Sequence, residues 1–102
     1  MFDLPALGKL LTAEDFDPYV GAMFSVASEP QAASIQLVSV KPLISGALAH
    51  RAAFSLFFRS SPQISMVSGA YMMSCGGFGP LHIHLTPVLS PPGERLYEAV
   101  FA

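Results

Sequence analysis

Beyond Gly21 the chain is cut into six short runs rich in apolar and β-branched residues, each bounded by Gly, Pro or Ser. They are Ala22 to Ala27, Ser34 to Lys41, Ala52 to Arg59, Ala70 to Cys75, Leu81 to Val88 and Arg95 to Phe101. Runs of this length with alternating side chains are strands, because a helix needs a longer stretch at a period of 3.6. The links between them are short, roughly 5 to 10 residues, whereas a parallel pair needs a crossover of about a dozen or more, usually a helix. The pattern predicts an all-β, mainly antiparallel protein, a small sandwich or barrel of about six strands.

One short helix precedes the strands. Thr12 is placed to cap it, Asp15 stands at the third helical position of a capping box, and Leu11 and Phe16 occupy the two ends of a hydrophobic staple. Pro18 and Gly21 restrict it to one or two turns. It reads as a lid or plug anchored by Phe16, Tyr19 and Val20. A chain of 102 residues fits a single domain, with residues 1–21 as arm and helix and 22–102 as the β-domain.

Alternation along the strands assigns Ile35, Leu37 and Ser39, then Phe54, Leu56 and Phe58, then Leu81, Ile83 and Leu85, then Tyr97, Ala99 and Phe101 to the core face. The opposite faces are less polar than water requires. Hydrophobic residues make up 52% of the chain and charged ones 12%, against about 25% charged in ordinary soluble domains. Val38, Val40, Phe57, His82 and His84 are therefore expected at an interface with a protein partner or with further copies of the chain. Edge strands offer a second route to such pairing.

Charge narrows the chemistry. No carboxylate lies between Glu29 and Glu94, and from Ser60 to Gly93 there is no Lys, Arg, Asp or Glu. Catalysis usually needs a positioned acid, base or metal ligand, and this stretch offers only Cys75, His82, His84 and hydroxyls. The expectation is a non-enzyme without a cofactor. Five Lys and Arg in the whole chain, at a net charge of -2, leave no cationic stripe for nucleic acid. Gly, Pro and His interrupt the uncharged stretch too often for a membrane span. One cysteine permits no internal disulfide, and Met1, Phe2 and Asp3 do not begin a secretory signal. Synthesis in the cytoplasm is the expectation, with an exported or surface assembly as a further destination.

The sharpest chemical candidate is His82-Ile83-His84. Residues i and i+2 of a strand share a face, so both imidazoles can reach one metal ion. Gly76, five residues and His82-x-His84 resemble the opening of a cupin metal motif, but no Glu follows between Leu85 and Ser90. A third ligand would have to come from His50, Cys75 or Glu94, and no spacing unites them; a structural face outweighs a metal site. Cys75 has no nearby Asp or Asn to orient a Cys/His pair and reads as a small hydrophobe ending a strand. No Ser occupies a nucleophile elbow. Gly76, Gly77 and Gly79 precede a strand and serve a turn rather than a phosphate loop. Capping accounts for Glu14 and Asp15. Met66, Met72 and Met73 read as core filling.

Phe54-Ser55-Leu56-x-Phe58-Arg59, Gly69-x-Tyr71, Gly79-Pro80-Leu81, Leu85-x-Pro87-Val88 and Arg95-x-Tyr97-Glu98-Ala99-Val100-Phe101, with Leu11-Thr12-x-x-Asp15-Phe16, Gly21 and Phe24 ahead of them, resemble an uncharacterised family of small bacterial proteins, a domain of unknown function. The resemblance spans nearly the whole chain and rests on packing and turn residues, so it carries no catalytic position over. Members are associated with phage-tail-collar-type fibre proteins, which implies a role in building or capping a tail-like or fibre assembly. The leading expectation is a structural or assembly protein that packs through apolar strand faces. The alternative is a β-barrel holding an apolar ligand among Phe54, Phe58, Met72 and Phe101. A His82/His84 metal protein ranks third.

Overall fold

The computed structural model describes residues 11–27, 33–43 and 53–101. Expectations placed on His50 and on the start of the third run at Ala52 lie outside the described residues. Six strands are present: β1 (Met23–Ala27), β2 (Ala33–Pro42), β3 (Phe54–Ser60), β4 (Gly69–Cys75), β5 (Phe78–Val88) and β6 (Arg95–Phe101). They form two three-stranded meanders, β1-β2-β3 and β4-β5-β6. Antiparallel β3–β6 and β1–β4 ladders join the meanders into a closed barrel, in the order β1-β2-β3-β6-β5-β4. The all-β antiparallel expectation holds, and of its two forms the barrel is realised. Closure also corrects the expectation of edge-strand pairing, because it leaves no edge strand in the sheet.

Alternation builds the interior. Phe24 and Val26 of β1, Ile35 and Leu37 of β2, Phe54, Leu56 and Phe58 of β3, and Ile83 and Leu85 of β5 are all essentially buried. A six-stranded barrel is narrow enough for side chains to fill, and here they do. One predicted phase fails. Leu37 faces Phe58 but Ser39 faces Phe57, so Val38 is an extra residue in β2. Such a bulge reverses inside and outside beyond it. Ser39, expected in the core, therefore pairs with outward Phe57, while Val40, expected outside, pairs with Leu56 and packs against the core.

A second irregularity sits in the β4–β5 hairpin. Met73 pairs with Leu81 and Cys75 with Phe78, so Gly79 and Pro80 together oppose Ser74. The turn itself is only Gly76-Gly77, and β5 begins at Phe78 rather than at Leu81. Gly79 has φ +97°, and a Cβ there would stand 2.9 Å from the Met73 carbonyl oxygen.

Each end of the barrel is closed differently. Helix α1 (Ala13–Phe16) starts as expected: the Asp15 carboxylate accepts the Thr12 backbone N–H at 2.9 Å. A 3-10 turn, Asp17–Tyr19, follows, and the chain turns on through Val20 to Gly21, φ +93°. Phe16 is fully buried, with its ring 5.9, 5.2 and 5.5 Å from those of Phe54, Phe78 and Phe101. Tyr19 stacks on Phe78 at 4.7 Å. The plug is real, but Val20 is 46% exposed and does not anchor it; the chain turns there toward Gly21. At the other end of β3, the segment around Ile64 and Met66 covers the opening. The buried Tyr97 hydroxyl accepts the Met66 N–H at 3.3 Å and lies 3.4 Å from both the Ile64 carbonyl and Ser60 Oγ.

Candidate functional site

Closing the barrel sorts the outer surface by charge. The Lys, Arg and Glu side chains of its wall, Lys41, Arg59, Arg95 and Glu98, stand on β2, β3 and β6, with Glu94 just before β6. They are engaged locally. Arg59 pairs with Glu94 at 3.4 Å and donates to Gln36; Arg95 Nε donates to the Pro62 carbonyl at 3.1 Å. Ser55 donates to Glu98 at 2.7 Å, and Lys41 lies 5.3 Å over the ring of Phe57. Glu14 and Asp17 of the plug border the same side, in a groove with Val40, Pro42 and Phe54.

The other three strands, β5, β4 and β1, are neighbours in the barrel and carry no Asp, Glu, Lys or Arg. Their outward positions form rows across the ladders: Ala27, Met72 and His82 in one, Ala70 and His84 in the next, Ser25 and Ser74 on the other side. All of these but the half-buried Ser74 are exposed, and Met72 at 38% adds apolar surface, whereas exposed Met23 lies on the other side of β1, in one groove with Gln36, Arg59 and Glu94.

The five expected interface residues do not make one patch. His82 and His84 are exposed on β5. Phe57 is outward and half-buried on β3, one strand beyond β6. Val38 sits at the bulge of β2, and Val40 points inward. Sequence reasoning missed Ala27, because β1 is brought beside β4 only by closure, and Ala70 of β4, which pairs with His84. The charge gap from Ser60 to Gly93 was the signal for β4 and β5; for β1 nothing local marks the face.

The other candidates separate as well. Cys75 packs against the core side and His82 faces out, so they form no dyad. Among the described residues no three of His, Cys, Asp and Glu gather where a metal ion could sit. Phe54 and Phe58 are buried and Phe101 stacks on Phe54 at 4.8 Å, whereas Met72 is outside; these four do not line one pocket. Met66 and Met73 fill the core as expected, and Met72 does not. No helix of the described residues is long and apolar enough to cross a membrane.

Barrel, plug and sorted surface define a small closed antiparallel barrel with one uncharged wall. The chain belongs to the family described as Domain of unknown function (DUF6916), whose match covers residues 11–101. No curated protein and no solved structure matches it.

Proposed function

We propose that the protein is a non-enzymatic assembly component that docks through the outer face of β5, β4 and β1, on another copy of itself or on a fibre- or tail-like partner. One observation carries this reading: the Lys, Arg and Glu side chains of the wall lie on β2, on β3 and on or just before β6, and the opposite wall presents Ala27, Met72, Ala70, His82 and His84 with no Asp, Glu, Lys or Arg. Interface centres are depleted of charge and enriched in Met and aromatic residues. A wall without charges meets a second such wall without like-charge repulsion, which favours a two-fold pairing of copies. The fibre-type partner is supported by the sequence resemblance to a family whose members look like genome neighbours of phage-tail-collar-type fibre proteins.

Replacing Met72 by Lys puts a charge at the centre of the face. Self-association, followed by sedimentation velocity, is expected to be lost while the unfolding free energy from urea titration stays within about 0.5 kcal/mol of the unchanged chain. A wild-type chain that is monomeric at high concentration and binds no fibre-type protein would overturn the reading.

A further inference from the structure

We infer that His82 and His84 are half of a divalent-metal site, completed by the same two histidines of a second copy, so that one ion of the zinc class ties two uncharged walls together. The inference rests on the docking reading and names what joins the faces when the partner is another copy.

The β4–β5 ladder is regular from Met73–Leu81 through Met72–His82, Tyr71–Ile83 and Ala70–His84 to Gly69–Leu85. No bulge separates the histidines, so both leave the same outer face with their Cα atoms about 6.5–7 Å apart. Imidazoles on such a spacing can converge on one ion at a Zn–N distance of about 2.0–2.1 Å. Their cross-strand neighbours, Ala70 and Met72, offer no strong hydrogen-bonding group. Neither imidazole has a hydrogen bond among the described residues, and both are exposed. The ring nitrogens are free to coordinate.

The same geometry makes the site incomplete in one chain. No third ligand joins the pair, and Cys75 packs toward the core. A structural zinc site is closed by four protein ligands in a tetrahedron. A two-fold axis near β5 supplies the missing two, because an isologous contact presents the same residues from both sides. Imidazole nitrogen selects Zn, Cu or Ni over Mg or Ca.

The test is a titration of the EDTA-stripped full chain with Zn2+, read by native mass spectrometry and sedimentation velocity, with Mg2+ as control. The expected result is doubling of the mass with one Zn2+ per two chains, reversal by EDTA, no response to Mg2+, and loss of the effect in a folded His82→Ala/His84→Ala variant. The single variants, each leaving two ligands in the dimer, should need more Zn2+ for the same doubling. One Zn2+ per chain without a change of mass, or the same response in the double variant, overturns the bridge. A metal-independent dimer that Met72→Lys breaks and the double histidine variant does not would overturn this inference and leave the docking reading standing.

Discussion

Gly79 shows how much one residue can depend on its neighbour across a ladder. Its φ of +97° and the Met73 carbonyl 2.9 Å from where a Cβ would be both exclude a side chain. Gly79→Ala should lower stability by about 1–3 kcal/mol, whereas Gly77→Ala, with nothing near its Cβ position, should cost under about 1 kcal/mol; equal urea midpoints for the two would contradict this account. Sequence alone makes all three glycines of this stretch turn residues, since the carbonyl that selects Gly79 belongs to a different strand. Tyr97 carries a second prediction. Its hydroxyl is the buried partner of the Met66 N–H, so Tyr97→Phe should cost about 1–3 kcal/mol by leaving that donor unsatisfied, and thermal unfolding at an unchanged midpoint would refute it.

Helix α1 is the element whose sequence was easiest to read and whose role is easiest to test. Thr12, Asp15, Leu11 and Phe16 lie within six residues, so cap, staple and buried ring are all visible without knowing the fold. Phe16→Ala removes the ring that meets Phe54, Phe78 and Phe101 and should cost about 3–5 kcal/mol. Asp15→Ala, which removes the acceptor of the Thr12 N–H and hydroxyl, should cost about 1 kcal/mol. A denaturant series in which the two substitutions cost the same would argue against a plug. Strand β2 is the opposite case. Its first half obeys the predicted alternation and its second half reverses it, because the Val38 bulge is set by how β2 meets β3 and no residue near it announces an extra position. The exchange of Ser39 and Val40 follows from that single residue.

At the scale of the whole molecule, the candidate face was half legible. The charge gap runs along β4 and β5 and can be seen in the chain itself, but membership of β1, and the separation of Phe57 from the histidines, exist only once the barrel is closed in its particular order. The same closure bears on motion. The β4–β5 ladder runs from Gly69–Leu85 to Cys75–Phe78 and the β3–β6 ladder the whole way from Phe54–Phe101 to Ser60–Arg95, yet β5 meets β6 only from Thr86–Glu98 to Val88–Leu96. The hairpin that bears Met72, His82 and His84 is thus tightly knit within itself and lightly fastened to β6. Cooperative opening units often coincide with such supersecondary pieces, and this one should swing away from the wall as a flap before the rest unfolds. In native-state hydrogen exchange the amides joining it to β6 should open at lower free energy than those between β3 and β6, and uniform protection around the barrel would show instead that the wall breathes as one.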